Sequence, residues 1–124
     1  MNMDVSIIIV NYKTVSLILK CLNSIQRLTR KISYEIIVVD NNSNDDFATY
    51  IQQQYPKVKC VSLPENMGFG RANNEGVKLA KGRNILFLNP DTILLNDAIS
   101  ILSQYLDSHL SVGACGGDLY NIDL

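Results

Sequence analysis

An excess of charge of either sign is missing from this 124-residue sequence, where 11 basic side chains stand against 12 acidic ones for a formal net charge of −1. That balance removes most support for nucleic-acid binding through a broad basic face. No apolar run nears the roughly 20 residues needed to span a bilayer. The N-terminal Met-Asn-Met-Asp lacks the basic region of a signal peptide. The expected location is therefore the cytoplasm. Only three cysteines occur, Cys21, Cys60 and Cys115, with no C-x-x-C spacing. They are expected as reduced core thiols, not as a disulfide frame or a zinc site. Internal repeats, low-complexity tracts and linkers are absent too, and the length suits one domain over residues 1–124. Apolar material is plentiful, at 47% hydrophobic against 19% charged. Such a chain can bury a core and is not a disordered tail.

The pattern alternates strands with helices. Val5–Val10 and Glu35–Val39 are β-branched, nearly continuous apolar runs, expected as strands covered on both faces. Between them Thr14 is placed to cap a helix reaching Leu28, with Ile18, Cys21, Leu22, Ile25 and Leu28 at helical spacing. Asn44 is expected to cap a short helix from Asp45 to Tyr55, and Lys57–Leu63 to form a strand nearer the sheet edge. Further helices are expected over Arg71–Ala80 and after an Asn96 cap, with a buried strand at Asn84–Leu88 and a final one starting at Val112–Gly117. The predicted fold is α/β, Rossmann-like, a mainly parallel sheet with helices on both faces.

In such sheets ligands sit beyond the carboxyl ends of the strands, so the residues there carry the functional reading. Asp40 can accept a hydrogen bond from a base N–H or a ribose hydroxyl, or equally close an Asx-turn. The glycines of Asn66-Met67-Gly68-Phe69-Gly70-Arg71 let backbone approach a ligand, and Arg71 near a helix N-terminus can meet a nucleotide or phosphate. Asn89-Pro90-Asp91 offers one carboxylate in a proline-stiffened turn, enough for a cation whose ligand brings a diphosphate. The same tripeptide also suits a plain type I turn. His109 and the cluster Arg27, Arg30 and Lys31 are expected to be structural.

Taken in order, Val5–Tyr12, Cys21–Ile25, Glu35–Ser43, Asn66–Gly76 and Phe87–Thr92 resemble the N-terminal half of family 2 glycosyltransferases, inverting enzymes of the GT-A, nucleotide-diphospho-sugar transferase type. The Asn-Pro-Asp-Thr turn is most similar to rhamnosyltransferase-type members. The resemblance implies a UDP- or dTDP-linked sugar as one partner and a glycan or lipid-linked acceptor as the other, in bacterial surface polysaccharide synthesis. It also implies peripheral placement at the inner face of the membrane. Backbone around Val10, Asn11 and Tyr12, with the Asp40 carboxylate, would hold the pyrimidine. Arg71 would lie near the base or diphosphate, Asn89 beside the ribose, and Asp91 would bind a divalent cation, manganese or magnesium. Asn89 stands where the family often has an aspartate, which removes one charge from the metal site.

The family's general base lies beyond the final strand. No catalytic residue is therefore identified, and Asp118 and Asp123 are left without a role. The expectation is a truncated, donor-binding portion lacking the acceptor-binding part, inactive alone and self-associating through an exposed edge near Val112–Cys115. A non-catalytic nucleotide-sugar-binding or assembly domain is the alternative. A phosphoryl-receiver domain shares the outline but fails at its site positions, where Asn11-Tyr12, Pro64-Glu65 and Gly116-Gly117 follow the first, third and fifth strands.

Overall fold

The computed structural model describes residues 2–121, so Asp123 lies outside the described residues. Along them β1 (Met3–Asn11), α1 (Val15–Leu28), β2 (Tyr34–Asp40), α2 (Phe47–Gln54), β3 (Lys59–Ser62), α3 (Phe69–Val77), β4 (Gly82–Phe87) and α4 (Ala98–Ser108) alternate. Every strand pair is parallel, in the order β3-β2-β1-β4. The chain steps outward from β1 to β3, and α3 then returns it to the other side of β1. The order thus reverses between β1 and β4, the crevice position at which such sheets hold ligands.

Strand side chains alternate between the two faces. Val5, Ile7, Ile9, Ile36 and Val38 enter one core with Ile18, Cys21, Leu22 and Ile25 of α1, joined by Phe47, Ile51 and Ile99. Ile8, Val10, Ile37 and Val39 meet Ala72 of α3 in a smaller core on the other face. Both central strands are therefore covered twice, as their apolar runs predict. Fully burying one such aliphatic side chain contributes about 1.5–3 kcal/mol. The helix α3 lies so close that a methyl group at Gly76 would meet Ile8 Cγ2 at 2.6 Å.

At the amino end of the sheet, Glu35 Oε2 accepts hydrogen bonds from Ser6 Oγ and from the Lys81 N–H, both at 2.6 Å. Its Oε1 accepts from Lys59 Nζ at 2.9 Å. Burial opposes the charge, but the bonds from Ser6, Lys59 and Lys81 outweigh it and hold the carboxyl below the ordinary glutamate range. The Ser6 hydroxyl also accepts from the Gly82 N–H at 2.8 Å, which seats β4 on β1.

Several expectations need correction. β4 is an edge strand of the described sheet, half-buried on one face and exposed on the other: α3 packs on β1 and β2, leaving Phe87 54% exposed. Val112–Gly117 is not a strand, and its three glycines lie in an irregular tail. The edges of the described sheet are therefore β3 and β4. Thr14 holds the N-cap position of α1 as expected, but its hydroxyl donates to Asn11 Oδ1 and makes no capping bond. The helix α2 begins at Phe47, since Asn44 and Asp46 take left-handed backbone conformations. Asp97, not Asn96, caps α4 by accepting from the Ser100 N–H. Cys21 is buried and Cys60 half-buried, but Cys115 is exposed in the tail and is not a core thiol. Among the described residues no helix is long and apolar enough to cross a membrane.

Candidate functional site

β1 and β2 end in register, Asn11 opposite Asp40, so both side chains emerge on the same face. Both are buried, Asn11 completely. Asn11 Nδ2 donates to Asp40 Oδ1 at 2.8 Å. Its Oδ1 accepts from the Thr14 N–H at 3.1 Å and from Thr14 Oγ1 at 2.8 Å, turning the chain into α1. Ser43 closes the cluster. Its hydroxyl donates to Asp40 Oδ1 and accepts from Asn11 Nδ2 at 3.2 Å and the Lys13 N–H at 3.0 Å. The Ser43 N–H donates to Asp40 Oδ2 at 3.0 Å. The turn-forming role foreseen for Asp40 is thus present. A carboxylate offers about four acceptor positions, and the one left over here is on Oδ2.

Around this cluster the backbone is unusual. Lys13, Asn42, Asn44 and Asp46 all have φ between 54° and 67°. Asn and Asp enter this left-handed region readily, whereas a lysine does so only when its surroundings impose it. Such residues gather at ligand clamps and switch regions as well as in plain Asn/Asp turns. Beside them opens a groove of about 260 Å³ whose lining includes Asp40, Asn42, Asp45, Asp46 and Ser62. Within it Asp45 keeps one buried carboxylate oxygen without a hydrogen-bond partner among the described residues.

The turn after β4 is pinned from two sides. The Leu88 N–H extends the ladder to Ile8 O at 3.0 Å, and the Thr92 N–H closes on Asn89 O at 3.1 Å across Pro90 and Asp91. The Leu94 N–H then donates to Ser24 Oγ of α1 at 3.0 Å. Asn89 and Asp91 are left exposed. Asp91 stands near enough to α1 that its charge adds to burial in pushing the Cys21 thiol up to about 12. Among the described residues no three His, Cys, Asp or Glu side chains gather as a metal cage. One exposed carboxylate fits a hard cation that arrives with a phosphorylated ligand, because magnesium-like ions take one or two protein carboxylates and fill the rest with phosphate and water.

Across the sheet end, buried Asn41 accepts from the Met67 N–H at 2.8 Å and so fixes the loop that opens α3. Gly68, with φ 81°, begins that helix without a side-chain cap, and a side chain at Gly68 or Gly70 would meet open space. Arg71 stands exposed in this first turn.

The structure therefore joins Asn11 and Asp40 directly and places Tyr12, Arg71, Asn89 and Asp91 exposed along the same edge. Among the described residues no hydrogen bond links those four to one another. The Val10 side chain faces the α3 core, so only its backbone reaches the edge. Tyr12 is 44% exposed, with Lys13 Nζ 5.2 Å from its ring centroid. Ser43, Asn41 and Ser24, which organise the edge, lie within the segments Cys21–Ile25 and Glu35–Ser43 that carry the family resemblance, but the sequence assigns none of them an individual role. The Asn/Asp-rich run from Asp40 to Asp46 does signal left-handed turns.

Comparison with known proteins gives a consistent result. Residues 6–122 match the model of the family described as glycosyl transferase family 2. A poly(ribitol-phosphate) beta-glucosyltransferase of Bacillus spizizenii is 35% identical over 102 residues, which are 78% of this chain and 16% of that protein. A chondroitin synthase of Escherichia coli is 32% identical over 123 residues, 96% of this chain and 18% of that protein. Among solved structures, Staphylococcus aureus TarS superposes with a TM-score of 0.76 at 27% identity, over 87% of this chain and 33% of that one. TarS crystal structures include complexes with UDP-GlcNAc and with UDP. The chain thus spans less than a fifth of the length of these two relatives.

Proposed function

The chain belongs to glycosyl transferase family 2, and on that premise we propose that it is the sugar-donor-binding portion of an inverting glycosyltransferase. The enzyme would take a UDP- or dTDP-linked sugar and transfer it to a glycan or lipid-linked acceptor in bacterial surface polysaccharide synthesis, working at the inner face of the membrane. The observation that carries this reading is the row of strand ends: a buried, hydrogen-bonded carboxylate at β2 and an exposed one after β4. Neighbouring strands lie about 4.8 Å apart, so Asp40 and the Asn89 turn, two strands apart, are separated by about 10 Å. A nucleoside diphosphate laid along that edge has its base at one end and its phosphates at the other.

The remaining acceptor position on Asp40 Oδ2 takes the imide N–H of uracil or thymine, with Asn11 and Tyr12 beside it. Arg71 and the uncapped start of α3 face the negative charge of the nucleotide. Asn89 keeps a hydrogen bond to the ribose within reach. Asp91 would hold manganese or magnesium against the diphosphate, and that cation, when bound, neutralises the charge that grows on the departing nucleoside diphosphate. Asn89 in place of a second carboxylate leaves the metal site weak until the nucleotide arrives. No residue of this chain is assigned as general base, so binding, rather than turnover, is the property to measure.

Titration of UDP and dTDP by calorimetry, with and without manganese, tests the reading. Binding is expected to depend on manganese and to vanish in Asp91→Ala. Binding that ignores the metal, or none at all, overturns it.

A further inference from the structure

We infer that Ser43 is a positioning residue that sets which nucleobase the Asp40 carboxylate accepts; this rests on the reading just given. Ser43 holds both oxygens of Asp40, Oδ1 through its hydroxyl and Oδ2 through its backbone N–H. Two points fix the plane of a carboxylate where one would leave it free to rotate. With Asn11 Nδ2 on Oδ1 as well, one acceptor position on Oδ2 is left in a fixed direction. An acceptor so fixed selects a ligand N–H and rejects a lone pair.

The same hydroxyl does a second task. It accepts from the Lys13 N–H at 3.0 Å, and Lys13 has φ 59°, a conformation a lysine does not hold unaided. Ser43 lies between Asn42 and Asn44, which are also left-handed. One buried oxygen, on a residue only 4% exposed, therefore locks the loop after β1 to the loop after β2. Strained backbone persists where several bonds over-determine it, and here those bonds converge on Ser43. Asp40 and the Tyr12–Lys13 step are positioned together.

Uracil and cytosine separate positioning from mere stability. Uracil carries a hydrogen at N3, while cytosine presents a lone pair there. A site built around a fixed acceptor discriminates strongly between them, because the wrong base leaves a buried polar group unpaired. Loss of the hydroxyl bond lowers UDP affinity and, with it, the preference over CDP. Loss of stability alone lowers both affinities in proportion.

The experiment measures the affinities of the full chain for UDP and CDP, in manganese, for the wild type and Ser43→Ala. The wild type is expected to prefer UDP. In Ser43→Ala the Asn11 bond to Oδ1 and the Ser43 N–H bond to Oδ2 remain, so UDP binding is expected to weaken about tenfold, the worth of the one lost hydrogen bond to a charged group, and the UDP-to-CDP ratio to fall by about the same factor. Ser43→Cys, which keeps the shape but has a weak donor, serves if the alanine variant does not fold, and its ratio is expected to fall part of the way. An unchanged ratio in a folded variant overturns the role of Ser43. A wild type that binds neither nucleotide, or does not distinguish them, overturns the reading of the Asp40 edge itself.

Discussion

Two carboxylates stand at opposite ends of the central strands, and each receives three hydrogen bonds from the protein. Glu35 at the amino end is bonded by Ser6, Lys81 and the ammonium of Lys59, from strands and turns in ordinary conformations. Asp40 at the carboxyl end is bonded by Asn11 and twice by Ser43, all neutral donors, among four left-handed residues. One charge is neutralised within the fold, while the other is held in place without a cationic partner among the described residues. Equal bond counts thus conceal different uses. Glu35 fastens β1, β2, β3 and the start of β4 together, whereas Asp40 ties the ends of β1 and β2 and, on the function proposed above, keeps one acceptor position for the donor nucleotide.

Substitutions at the two ends test that contrast. The largest effect is expected from Asp40→Asn, whose amide must set its NH2 against a donor whichever way it turns. UDP affinity is expected to fall by about thirtyfold or more, as for loss of a hydrogen bond to a charged group, read by calorimetry beside a thermal scan. Retained affinity would make Asp40 merely a turn residue.

Glu35→Gln is expected to do the reverse, costing about 2 kcal/mol of stability while UDP affinity stays within about twofold. Its pH dependence sharpens the point. The Glu35 carboxyl sits below its ordinary 4.5 in the folded chain, so the unfolded chain binds more protons in the window beneath that value. Stability from Glu35 is complete above it and is lost as pH falls through the lowered folded value. Asp4, bonded by the Ser33 N–H and Arg83, and Asp107, bonded by Arg83, are also held low and titrate in both proteins. The wild-type minus Glu35→Gln difference in urea unfolding, followed from about pH 7 to about pH 3, is therefore the quantity that should shrink. A constant difference would remove the charge from the account of the amino end.

The smallest effect is expected midway between the ends. Gly76→Ala gains about 1 kcal/mol of helix propensity but drives a methyl group into Ile8 and Val39, at a cost of about 1–3 kcal/mol. A net loss of about 1 kcal/mol in denaturant unfolding follows from those two terms. A stabilised variant would mean that α3 can lift away from the sheet without consequence.

Much of this was legible in the sequence, for a physical reason. Apolar runs such as Ile7–Val10 and Ile36–Val39 admit little besides a doubly covered strand, and the strand ends then fall in a row by topology. That row already contains Asn11, Asp40 and Asn89. What the sequence conceals is which of several polar neighbours forms a given bond. Thr14, Asn44 and Asn96 are all good caps by type, yet Asn11 takes up the Thr14 hydroxyl, Asn44 turns left-handed, and Asp97 lies nearer the α4 amides. Ser43 looks like any loop serine until the register sets Asn11 opposite Asp40. Asn84–Leu88 is nearly as apolar as a central strand, so its sequence does not distinguish an edge strand from an inner one, and the strand order shows that β4 lies at an edge of the described sheet.

The order of strands also has a consequence in time. Ser6 on β1 is bonded to Gly82 at the start of β4, 76 residues later. Ribosomes add roughly 5–20 residues per second, so between completion of β2 at Asp40 and arrival of β4 at Gly82 β1 spends roughly 2–8 seconds paired on one side only. Throughout that interval its free edge presents unpaired backbone beside Ile7, Ile8 and Ile9, the kind of surface that joins another chain's strand. The strand that becomes the best protected in the finished sheet is the one exposed longest during synthesis.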